Sequence, residues 1–90
     1  SVHSTASIAA AFTYLASQPN LQQTLHHHIQ YFIDCVGENS NLLKSSSAIQ
    51  SFLLAGNAKA KEGARLLQAK GFDVRPILSP TVSKGTERLR

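Results

Sequence analysis

The sequence contains no tryptophan, no methionine and a single cysteine, Cys35. One thiol cannot close an internal disulfide, which points to a reducing, cytoplasmic setting. No apolar run approaches the ~20 residues of a membrane-spanning helix, so no membrane partner is expected. The N-terminus lacks a basic region followed by an apolar core, and no signal peptide is expected either. Acidic residues are scarce, five against nine lysines and arginines, which leaves a formal charge of +4. The cations are spread from Lys44 to Arg90, whereas most of the aromatics precede them. A nucleic-acid surface would cluster the two, so no nucleic-acid partner is expected.

What is present is ninety residues, 42% hydrophobic and 16% charged. That is one small domain at most. A chain of this size buries roughly 60–65% of its unfolded surface, so its core is modest. A deep cofactor pocket would be hard to build from so little chain.

Ile8, Ala11, Phe12 and Leu15 recur at helical spacing in an alanine-rich stretch that loses little side-chain entropy on ordering. Pro19 suits a turn or a first helical position. A second helix is predicted over residues 20–36, with Leu21, Leu25, His28, Ile29, Phe32, Ile33 and Val36 on one stripe and Gly37 to end it. Residues 38–47 read as a polar connector anchored by Leu42 and Leu43. Ile49 to Leu54 reads as a buried strand. Asn57 is a plausible N-cap for a third helix over residues 58–70, with Ala60, Ala64 and Leu67 facing inward and Gly71 closing it. Phe72 to Leu78 reads as a strand whose Pro76 favours an edge. Glu87 to Arg90 begins a further strand that stops with the chain, a pattern that suggests a piece of a larger protein. The predicted fold class is therefore α+β, a small sheet of three or so strands with helices on one face. Its division is expected to be residues 1–36, N-terminal helices, and 37–90, the α+β part.

Among residues with chemical potential, His26, His27 and His28 are adjacent, so on a helix they diverge by about 100° each instead of converging on a metal. No metal site is expected. Cys35 lies near a helix C-terminus, where the dipole disfavours a thiolate, and is expected to be a buried structural thiol. On a strand, Arg88 and Arg90 point to the same face. An arginine fixed in that way can grip a carboxylate bidentately, although a solvated basic edge would show the same spacing.

Ser47-Ala48-Ile49-Gln50, Asn57, and the run Arg75-Pro76-Ile77-Leu78-Ser79-Pro80-Thr81-Val82-Ser83-Lys84-Gly85-Thr86-Glu87-Arg88-Leu89-Arg90 resemble the C-terminal small domain of α-oxoamine synthases. These are pyridoxal-phosphate-dependent enzymes of the aminotransferase-like fold type I. Gly85-Thr86-Glu87-Arg88-Leu89-Arg90 is common to several branches. Ser-Ala-Ile-Gln and Leu-Ser-Pro-Thr-Val lean toward the biotin-pathway branch, the 8-amino-7-oxononanoate synthases.

The resemblance implies condensation of an amino acid, L-alanine in that branch, with pimeloyl-CoA or a pimeloyl carrier protein and loss of CO2. It implies that Arg90 holds the amino-acid carboxylate and that Thr81 lies beside the substrate. Pyridoxal phosphate would be bound mainly by a large domain preceding this segment, in a homodimer. On that basis no catalytic or cofactor-binding residue is expected here, and the piece alone is expected to be inactive. A 5-aminolevulinate synthase or glycine C-acetyltransferase type, or a non-catalytic interaction module on the same fold, are the alternatives. The chain departs from the family at Ser51 and Ser83, where prolines are usual, at Ala55-Gly56, where Gly-Asp is usual, and at Leu78, where some members carry arginine.

Overall fold

The computed structural model describes residues Ser1–Arg90, which divide into two units, Ser1–Cys35 and Val36–Arg90. In the first, α1 spans Val2–Ser17, and Ser1 caps it by accepting the Ser4 N–H at 3.1 Å. A serine at this position satisfies one of the free amides of the first turn. Gln18 interrupts the helix, and α2 then runs Pro19–Val36. Pro19 takes the first helical position, where its missing N–H removes no bond.

The stripe predicted for these helices is mostly uncovered. α1 has no buried residue, and Phe12 is 69% exposed. On α2 only Ile29 is buried, and His26, His27 and His28 are all exposed. Cys35 is exposed too, contrary to the buried thiol expected from sequence. Six residues beyond Ile29, at 100° per residue, it lies well off the one covered line of the helix.

In the second unit three short strands form an antiparallel sheet: β1 Phe52–Leu53, β2 Pro76–Ile77 and β3 Arg88–Leu89, in the order β1-β3-β2. Pro76 is on an edge strand, as its missing N–H requires. The strands are shorter than the apolar runs suggested. Ile49, expected inside a strand, is 57% exposed. It belongs instead to a serine turn in which Ser47 Oγ accepts the Ile49 N–H at 3.1 Å and Gln50 Nε2 donates to the Ser45 and Ser47 carbonyls at 3.0 and 2.9 Å. Serine side chains that bond the nearby backbone compete with ladder formation. The predicted connector has a structural part as well, because Leu42 bridges antiparallel to Phe52.

Helix α3, Asn57–Ala69, packs on β2 and β3. It buries Ala60 and Ala64 as the sequence suggested, and Gly63 lies on the same face. A Cβ on Gly63 would sit 2.7 Å from Leu54 Cδ1 and 3.5 Å from Leu89 Cδ1. The face of small residues lets the helix approach the sheet closely. The helix ends in a Schellman motif: Phe72 N–H bonds the Leu67 carbonyl at 3.1 Å and Gly71 N–H that of Gln68 at 3.0 Å, with Gly71 at φ 93°.

Candidate functional site

The register aligns Phe52, Leu89 and Pro76 in one row and Leu53, Arg88 and Ile77 in the next. Leu89 is buried and lies toward Gly63 of α3. Side chains alternate along a strand, so Arg88 and Arg90 project from the other face. Arg90 continues the ladder past β3: its N–H donates to the Arg75 carbonyl at 2.9 Å, and the Arg75 N–H donates back at 2.8 Å. Arg75 and Arg90 are thus directly opposed, which puts like charges on one face, an arrangement unfavourable unless an anion offsets it.

The chain's two ion pairs are Arg65 with Glu62, at 2.6 Å, and Arg75 with Asp73, at 3.1 Å. Arg88 is half-buried and its Nε donates to the Thr86 carbonyl at 3.0 Å. Arg90 is exposed, and its guanidinium has no carboxylate partner within the chain. A guanidinium presents a planar fork of N–H donors that matches a carboxylate.

The adjacent acid does not neutralise these arginines. Glu87 is 2% exposed and shares the inward face of β3 with Leu89. Its Oε1 accepts the Gly56 N–H at 2.9 Å and the Gly85 N–H at 2.8 Å. The Gly56 amide above all, then Glu87's own amide and that of Gly85, hold its carboxyl below the usual glutamate range, against the opposing effect of burial. Sequence spacing placed this residue in a basic edge and overlooked it. The available signal was parity: Glu87 shares its face with Leu89, and an inward carboxylate needs donors, which amides at two glycine turns supply.

Thr81 is exposed in the turn that follows β2. The Val82 N–H bonds the Leu78 carbonyl at 3.1 Å, and a second turn is closed by Thr86 N–H to the Ser83 carbonyl at 2.9 Å, with Gly85 at φ 91°. A positive φ at the third position of a turn is the geometry that selects glycine. Asn57 does not cap α3. The cap position is Gly56, which has no side chain, and Asn57 instead accepts the Ser79 N–H on Oδ1 at 3.0 Å and donates from Nδ2 to the Ser79 carbonyl at 3.4 Å. No direct hydrogen bond joins Thr81 to Arg90; what they share is this frame.

The chain's lysines, Lys44, Lys59, Lys61, Lys70 and Lys84, are all exposed, and its one buried carboxylate is occupied by amides. There is also no group of three His, Cys, Asp or Glu able to hold a metal, and no helix is long and apolar enough to cross a membrane.

Comparison with curated proteins gives a consistent relationship. The chain is 40% identical over 52 residues to the 8-amino-7-oxononanoate synthase of Haemophilus ducreyi, covering 58% of this chain and 13% of that protein. It is 33% identical over 84 residues to the 8-amino-7-oxononanoate synthase of Photorhabdus laumondii, covering 92% of this chain and 22% of that protein. The chain therefore spans 22% or less of the length of these relatives. No family model and no solved structure matches it.

Proposed function

We propose that this chain, a relative of the 8-amino-7-oxononanoate synthases, is the C-terminal small domain of a larger pyridoxal-phosphate-dependent α-oxoamine synthase in biotin biosynthesis. The reaction joins L-alanine to the acyl carbon of a pimeloyl thioester. The alanine carboxylate leaves as CO2, the thiol is released, and 8-amino-7-oxononanoate remains. Pyridoxal phosphate, bound by the larger body of a cytoplasmic homodimer, supplies the electron sink. The apolar residues that α1 leaves exposed, among them Ile8, Phe12 and Leu15, are surface for that body to cover.

One observation carries the role assigned to this chain: Arg90 is held by both backbone bonds to Arg75 while its guanidinium has no carboxylate partner. Fixed main chain with free donors suits an arginine that receives the amino-acid carboxylate. The charge of Arg88 on the same face adds to the local attraction. Thr81 offers a hydroxyl from the adjoining loop. Holding the carboxylate here orients the amino acid before it reacts.

The test is an assay of the whole protein carrying this chain, supplied with pyridoxal phosphate, L-alanine and pimeloyl-CoA, with product read by mass and CO2 release. Formation of 8-amino-7-oxononanoate is the expected result. Condensation only of glycine with succinyl- or acetyl-CoA would move the chain to another branch. No condensation with any of these pairs would refute the enzyme reading.

A further inference from the structure

Glu87 is the only charged side chain that the chain buries, and the chemistry proposed above makes no use of its charge. A buried carboxylate persists only where hydrogen bonds replace the water it has lost. Here the donors come from two distant turns. Gly56 lies 31 residues back and Gly85 two residues back, and both donate to the same oxygen, Oε1. The Glu87 carbonyl also accepts the Leu54 N–H at 3.0 Å, which ties the root of β3 to the end of β1.

One position beyond Gly56, Asn57 binds both the N–H and the carbonyl of Ser79. The segment from Ser79 to Gly85, which carries Thr81, is therefore fastened at both ends to one dipeptide, Gly56-Asn57. That dipeptide is the start of α3, and α3 packs on the sheet. Backbone bonds hold the stretch from Glu87 to Arg90 in the ladder, but the ladder does not include the segment from Ser79 to Gly85, which side chains tie to Gly56-Asn57. Bonds to an ionised acceptor are about twice as strong as neutral ones, so the carboxylate is the stiffer of the two fastenings.

The geometry points to Glu87 as a positioning residue: its carboxylate clamps the Gly56 and Gly85 turns together, and so sets Thr81 and Arg90 for the amino-acid substrate. This rests on the carboxylate-binding reading of Arg90. A residue that served stability alone would affect α3 and the loop equally. A clamp on the loop gives a local effect.

Two readouts separate the possibilities. In the whole protein carrying Glu87→Gln, which keeps the shape and an acceptor oxygen but loses the charge, amide exchange at Gly85 and Gly56 should accelerate about tenfold. Exchange at Ala64 and Leu67 within α3 should stay as in the unsubstituted chain. Unchanged exchange at Gly85, or equal acceleration at all four sites, overturns the clamp. If Glu87→Gln does not fold, acidification of the unsubstituted protein protonates the same carboxylate: amide protection at Gly85 and Gly56 should then be lost before that at Ala64 and Leu67, and simultaneous loss overturns the clamp.

In the whole enzyme, Glu87→Gln should raise the KM for the amino acid several-fold and leave that for the acyl thioester unchanged. A rise with Arg90→Ala but none with Glu87→Gln removes the positioning role and keeps the Arg90 reading. No rise with either removes both. A rise with Glu87→Gln alone removes the Arg90 reading, and with it the positioning of Arg90 by Glu87.

Discussion

Arg75 and Arg90 exchange both backbone hydrogen bonds, at 2.8 and 2.9 Å, while their side chains lead separate lives: Arg75 turns to Asp73 and Arg90 to no acid in the chain. The bonds that hold Arg90 are thus independent of its guanidinium. Arg90→Ala should change stability by no more than about 0.5 kcal/mol, as for surface substitutions generally. Relief of the like-charge opposition to Arg75 acts in the stabilising direction. Chemical denaturation of the two chains measures the difference, and a loss of 2 kcal/mol or more (roughly the scale of a charged hydrogen bond) would mean that the guanidinium has a structural partner.

Gly63 is where α3 and the sheet meet most closely. Alanine gains about 1 kcal/mol in helix propensity, but its Cβ falls 2.7 Å from the movable end of Leu54, so Gly63→Ala should remain near the stability of the unsubstituted chain. Gly63→Val adds two more methyl groups with no such room and should lose about 1–3 kcal/mol. Urea unfolding of both variants distinguishes a close helix–sheet contact from a loose one, which would accept valine at no cost.

Asn57 bonds Ser79 with both ends of its amide instead of capping α3. Asn57→Ala should lose about 1 kcal/mol, the usual net value of such bonds. Asn57→Asp keeps the acceptor for the Ser79 N–H but sets a carboxylate against the Ser79 carbonyl, and should recover only part of the loss. A true N-cap would accept aspartate freely, so full recovery in urea denaturation would contradict the structure.

The pH dependence of stability should report Glu87. Its carboxyl is held below the ordinary value of about 4.3, chiefly by the Gly56 amide. A lowered folded value means that the unfolded chain takes up protons first. The contribution is therefore complete above the unfolded value and is lost as pH falls through the folded value. Denaturation midpoints measured between neutral pH and about pH 3 should fall more steeply for the unsubstituted chain than for Glu87→Gln. Glu62, lowered by Arg65, is exposed and is common to both chains, so it does not enter the difference. Parallel curves would show that the Glu87 carboxylate is not ionised on its amides.

Much of the second unit was legible because its signals are local. Gly71 closes α3, Pro76 falls on an edge, and Ala60 and Ala64 face inward, each for a reason contained within a few residues. The strand run from Ile49 was misleading because Ser45, Ser47 and Gln50 bond the backbone locally and take Ile49 out of the ladder. Asn57 looked like a cap because its partner is 22 residues away. Glu87 was hidden for the same reason, its decisive donor being Gly56, 31 residues back. The apolar stripe of the first two helices was visible in the sequence, but periodicity identifies a face and says nothing about whether that face is covered.

The most direct test of carboxylate capture by Arg90 is the amino-acid KM of the whole protein with Arg90→Ala and Arg90→Lys. Removing a charge-assisted pair worth about 2 kcal/mol should raise that KM about 30-fold in Arg90→Ala. Lysine keeps the charge but not the fork, so Arg90→Lys should fall between, with the acyl-thioester KM unchanged in both. A folded Arg90→Ala protein with an unaltered amino-acid KM would contradict it.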